Sequence, residues 1–177
     1  ISVRGGALAG DGGFVETSGK NTLNIDGARV SASSVTGEGG AWLLDPTDFT
    51  VNSGNDGAIE SALGGGTDVT VQSTDGLSGV DGDVIFDASA SISWTNAAGD
   101  FFVYAINDIK FESGATLTAD AASNISLIAD SDSSGSGTLS FPASGTSISA
   151  TNGASVYGYY NPTGGYVSPD DSTFDPR

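Results

Sequence analysis

Apolar side chains recur at every second position in a long series of very short runs, and Gly, Asn, Asp and Ser separate one run from the next. Val69/Val71, Phe101/Val103, Ile109/Phe111 and Leu139/Phe141 show the spacing. A period of two sends alternate side chains to opposite faces of a strand, so each run has one buried face and one outward face. The pattern predicts strands near Phe14–Thr17, Thr22–Ile25, Arg29–Ala32, Trp42–Leu44, Phe49–Asn52, Val69–Gln72, Asp83–Asp87, Ser91–Trp94, Phe101–Ala105, Ile109–Glu112, Thr116–Ala119, Ile125–Ala129, Thr138–Phe141, Ser147–Ala150 and Ser155–Tyr160. One segment reads as helical: Asp56-Gly-Ala-Ile-Glu-Ser-Ala-Leu63. Asp56 is its expected cap, Ile59, Ala62 and Leu63 its apolar stripe, and Gly64 to Gly66 its stop. This short helix, near 57–63, is expected to cover an edge or fill a corner.

Asp-Val-Thr-Val at 68–71, Asp-Val-Ile-Phe at 83–86, Asp-Phe-Phe-Val at 100–103 and Asn-Ile-Ser-Leu at 124–127 look like equivalent strand starts. Such a loose repeat with polar turns points to a solenoid. A β-sandwich also uses many short strands. Very short strands, Gly/Ser/Asn turns and small residues at the inferred corners favour a right-handed parallel β-helix, an all-β fold. Residues 1–165 are expected to form it, with 166–177 as a Pro- and Asp-rich tail or linker. The start at Ile1 and the Pro/Asp-rich end read as a piece of something longer.

Charge narrows the partners. Five basic residues stand against 22 acidic ones, for a net charge of −17. Nucleic acid needs clustered Lys or Arg, and Arg4, Lys20, Arg29, Lys110 and Arg177 are scattered. An anionic membrane surface is disfavoured for the same reason. Neutral sugars, cationic surfaces, metal ions or copies of the chain itself remain. High charge also accompanies disorder, but the sustained alternation argues for a folded chain. No apolar run approaches the length of a membrane-spanning helix.

Three stretches resemble the filamentous haemagglutinin-like exoproteins of bacterial two-partner secretion. They are Gly10-Asp-Gly-Gly-Phe-Val-Glu-Thr-Ser-Gly-Lys-Asn-Thr-Leu-Asn-Ile-Asp26, Gly40-Ala-Trp-Leu-Leu-Asp-Pro-Thr-Asp-Phe-Thr-Val51 and Ala58-Ile-Glu-Ser-Ala-Leu-Gly-Gly-Gly-Thr-Asp-Val-Thr-Val71. Trp-Leu-Leu-Asp-Pro after a Gly-rich turn is the most specific element. Val156-Tyr-Gly-Tyr-Tyr-Asn-Pro162 is similar to the endings of such repeats. The resemblance implies a long right-handed β-helix exported through an outer-membrane partner barrel. It also implies a place at the cell surface or outside the cell, and a role in adhesion, biofilm matrix or cell contact. The family's N-terminal secretion domain is not found, so the stretch reads as passenger repeats.

Candidate sites are few. In Trp42-Leu43-Leu44-Asp45-Pro46, Trp42 and Leu44 are expected to point inward, and Asp45-Pro46 to end the strand. Acidic runs occur at Asp75, Asp81, Asp83 and Asp87, at Asp130 and Asp132, and at Asp170, Asp171 and Asp175. Asp81, Asp83, Asp130 and Asp132 are calcium candidates through oxygen ligands, although none fits a known calcium loop and solvated turn residues are the plainer reading. No other cofactor is expected. Without His or Cys the usual nucleophile–base arrangements are impossible. A polysaccharide-active enzyme would have to use a carboxylate pair such as Asp81/Asp83 or Asp130/Asp132, and a non-enzyme is the expectation. Tyr157, Tyr159, Tyr160 and Tyr166 offer flat faces to a glycan or a protein receptor, or cap the last coil. Alternation places Tyr157 and Tyr159 on one face. Unpaired strand edges at the helix ends also invite end-to-end stacking of copies into a fibre.

Overall fold

Short strands with one apolar face cannot stand alone, and here they are stabilised by stacking in parallel on the run one coil earlier. The computed structural model describes residues 1–20, 22–74, 82–95, 99–120, 122–142 and 144–159. The first coil contributes β1 (Phe14–Gly19). The second runs through β2 (Ala41–Pro46), β3 (Phe49–Val51) and α1 (Asp56–Leu63). The third is β4 (Asp68–Gln72), β5 (Val84–Phe86) and β6 (Ser91–Thr95). The fourth is β7 (Phe101–Tyr104), β8 (Ile109–Phe111) and β9 (Thr116–Asp120). The fifth is β10 (Asn124–Ile128), β11 (Leu139–Ser140) and β12 (Ser147–Thr151), and β13 (Ser155–Tyr159) opens the next.

Three sheets result: β1-β2-β4-β7-β10-β13, β3-β5-β8-β11 and β6-β9-β12. Every strand pair in them is parallel. The described residues form a parallel β-solenoid of about five turns with one short helix.

Register follows the inward residues, because a one-residue slip would turn every apolar side chain outward. In the six-stranded sheet, Val15, Trp42, Val69, Phe101, Ile125 and Val156 form one inward column. Trp42, Val69, Phe101 and Ile125 are fully buried. In the second sheet Val51, Phe86 and Phe111 stack. The Phe86 and Phe111 rings lie 4.3 Å apart and 1° from parallel, and Phe141 continues the stack at 5.1 Å. In the third, Trp94, Ala119 and Ala150 form one inward column, a large residue followed by two small ones.

The helix takes the third-sheet place in its coil, packing Ala58, Ile59, Ala62 and Leu63 inward. The expected cap is corrected: Asn55 precedes the helix, Asp56 is its first residue, and no side chain caps it. Gly66, at φ 78°, ends it: its N–H donates to Leu63 O and Thr67 N–H to Ala62 O. That left-handed conformation suits glycine.

Two expected strands are absent. Residues 22–25 are irregular but still bury Ile25. Residues 29–32 make a single bridge, Ser31 to Ser2. The reason lies in α1. A helix occupies the place of the strand that would pair with 29–32, and Ala32 N–H donates instead to the buried Thr67 Oγ1 at 2.9 Å. The repeat is also corrected. The run at 68, 100 and 124 belongs to one sheet, whereas that at 83 starts β5 in the second.

Candidate functional site

The acidic residues at strand entries make an inter-coil device. Asp100 N–H donates to Asp68 Oδ1 (2.9 Å), and one coil further Asn124 N–H donates to Asp100 Oδ1 (2.7 Å). At the entry to the second sheet, Asp48 Oδ1 accepts from Gly82 and Asp83 N–H (2.8 and 3.0 Å). Asp83 Oδ1 accepts from Asp108 N–H (3.1 Å) and Asn107 Nδ2 (2.8 Å), and Asp108 Oδ1 from Thr138 N–H (2.7 Å). Each carboxylate satisfies a backbone donor of the next coil at a corner, where the chain changes direction. Asp56 and Glu60 extend the principle to α1: their carboxylates accept from Ser91 and Ser93 N–H, both at 2.9 Å. Four helical residues and two strand residues advance by nearly the same length, about 6 Å, so one helix face matches one strand edge.

Lys110 Nζ lies between Asp83 Oδ2 (2.7 Å) and Asp108 Oδ2 (2.9 Å). Its hydrogen bond to Asp83 raises its pKa against the effect of burial, and Asp108 adds to the rise. Burial pushes Asp108 upward, but the bonds from Lys110 and Thr138 outweigh it and hold its carboxyl below the ordinary range. Asp68 is raised, first by burial and then by the charges of Asp100 and Glu38, against the bond from Asp100 N–H. Asp45 is raised by burial and by Glu16, and its Oδ1 is buried without a hydrogen-bond partner among the described residues.

Three of the four calcium candidates, Asp83, Asp130 and Asp132, lie among the described residues. Asp83 lies at the second-sheet corner on Lys110, Asn107 and Asp108. Asp130 is buried at φ 52°, and its carboxylate accepts from Ser134 Oγ (2.8 Å) and Gly135 N–H (3.0 Å). Burial raises its pKa, but those bonds prevail and lower it. Asp132 Oδ1 accepts from Ser134 N–H (3.1 Å). Among the described residues no three His, Cys, Asp or Glu side chains come together as a metal site. Asp75, Asp81, Asp170, Asp171 and Asp175 lie outside the described residues.

Tyr157 and Tyr159 do share the outer face of β13, 43% and 40% exposed, with ring centroids 6.5 Å apart and 10° from parallel. Tyr160 and Tyr166 lie outside the described residues. Two coils below stand Phe102 and Tyr104, 6.4 Å apart and 13° from parallel. Register sets Phe102, Ser126 and Tyr157 in one outward column and Tyr104, Ile128 and Tyr159 in the next. Phe102, Tyr104 and Ile128 were not among the expected site residues. Their signal is local: Phe101-Phe-Val-Tyr104 has apolar or aromatic residues where alternation calls for polar ones. Trp42 and Leu44 point inward and are fully buried, as their spacing requires.

No family model, curated protein or solved structure matches the chain. The fold is that of parallel β-helix proteins. Among the described residues no helix is long and apolar enough to cross a membrane.

Proposed function

We propose that the chain is a non-catalytic scaffold segment of a secreted bacterial surface exoprotein of the filamentous haemagglutinin-like class, acting in adhesion or in an extracellular matrix. One observation carries this reading: the unbroken parallel register of the six-stranded sheet from β1 to β13. Stacking commits inward residues to packing and leaves outward ones available for contact, a division that suits rigid display. The burial of Trp42 and Leu44 gives the Trp-Leu-Leu-Asp-Pro element a structural role in the core of its coil. Export through a two-partner transporter, residence outside the cell and a carbohydrate or cell-surface receptor belong to the same reading. The test is to display the chain on a non-adherent bacterium and count cells retained on epithelial monolayers. Retention above that of a strain carrying the bare anchor is the expected result. Equal retention contradicts an adhesive role.

A second reading rests on the far edge of β13, which pairs with no strand among the described residues. Such an edge accepts a strand from a second copy, and repeated end-to-end addition gives a fibre. Electron microscopy of the purified chain separates the two: filaments favour the fibre subunit and single short rods the display segment.

A further inference from the structure

We infer that the outer face of the six-stranded sheet between β7 and β13 binds a neutral glycan chain. The inference rests on the display reading and specifies what is contacted.

A sheet face turned to water is ordinarily polar. Here Phe102, Tyr104, Ile128, Tyr157 and Tyr159 are presented outward around Ser126, whose aliphatic hydroxyl joins the phenol groups of the three tyrosines. The two ring pairs are each near-parallel and almost equally spaced, at 6.4 and 6.5 Å. Two coil steps separate them, about 10 Å. The frame therefore has the dimensions of a short run of sugar rings rather than of one small molecule. Flat aromatic surface takes the C–H faces of pyranoses by apolar contact, and Ser126 supplies a donor and acceptor at the centre.

Charge chooses among glycans. β4, β7, β10 and β13 carry no Lys or Arg. Lys110 is committed to Asp83 and Asp108 on another sheet. With a net charge of −17, the surroundings repel sialylated, uronic or sulfated chains. A basic peptide is also poorly matched. The nearest strand-entry carboxylates, Asp68 and Asp100, accept backbone N–H groups of the next coil, so this face offers rings rather than unengaged acids.

The test uses the whole chain on a printed array of neutral, sialylated and sulfated oligosaccharides, beside the Phe102→Ser/Tyr157→Ser variant checked by circular dichroism. Signal is expected on neutral glycans, weakened about tenfold or more in the variant. Saturation-transfer NMR on the unmutated chain, with a neutral oligosaccharide from the array, is expected to mark sugar ring protons. No neutral binding, binding confined to acidic glycans, or full binding by the folded variant overturns the inference. A silent array beside retention of the displaying bacteria would remove the glycan and leave the display reading standing.

Discussion

Asp100 grips Asn124 with both carboxylate oxygens, one on the backbone N–H at 2.7 Å and one on Nδ2 at 3.0 Å. The contact crosses from one coil to the next at the entry to the six-stranded sheet. Asp100→Ala removes both acceptors and leaves a half-buried N–H without a partner, so it is expected to cost about 1–2 kcal/mol in urea unfolding. Asp100→Asn keeps an acceptor for the N–H and is expected to cost less.

Stability should depend on pH in two opposed ways. Asp108 and Asp130 have lowered folded-state pKa values. Their stabilisation is present above the unfolded value, about 3.9, and is lost as pH falls through the folded one. Asp68 and Asp45 are raised, so the folded state takes up their protons first, and stability gains as pH falls through their folded values toward about 3.9. Lys110 is raised, so its contribution is full below about 10.4 and lost as pH rises past its folded value. Urea midpoints across pH are expected to rise slightly on mild acidification and fall in strong acid. Asp108→Asn should weaken both the acid and the alkaline loss. A flat profile contradicts these assignments.

Inward and outward aromatics should respond differently. Phe111 is buried between Phe86 and Phe141, and Phe111→Ala is expected to cost about 3–5 kcal/mol. Phe102→Ser, on the outer face, is expected to cost about 1 kcal/mol or less. Thermal unfolding of the two variants measures the difference.

The helix guards a strand edge through Asp56 and Glu60. In the Asp56→Ala/Glu60→Ala variant, the amides of Ser91 and Ser93 should exchange with solvent a few-fold to roughly tenfold faster, as expected for losing about 1 kcal/mol of hydrogen bonding. NMR-detected exchange reads this amide by amide, with Val103 as an internal reference.

Much of this architecture is legible in the residues because a period of two states which side chains point inward. Trp42, Val69, Phe101 and Leu117 all follow it into the core. Face assignment is less legible. The pattern of Asp followed by an apolar strand marks Asp68 and Asp100 on one sheet and Asp83 and Asp108 on another, because both corners need the same N–H acceptor. The pattern therefore reports a corner, not which corner. Asp56 looks like a helix cap by position, yet its carboxylate is drawn across to Ser91. The outer frame of Phe102, Tyr104, Tyr157 and Tyr159 depends on register between coils of unequal length, and no single segment contains it.

Two designed disulfides test the parallel stacking most directly. Register sets Thr70 beside Phe102 and Gln72 beside Tyr104 on the outward face of β4 and β7, at a separation a disulfide can span. The chain has no native cysteine. Thr70→Cys/Phe102→Cys and Gln72→Cys/Tyr104→Cys are each expected to cross-link under mild oxidation, read by intact mass. In an antiparallel pair, moving two residues along one strand moves the partner two residues back, so at most one of the two bonds would form, and that result would contradict the stacked parallel coils.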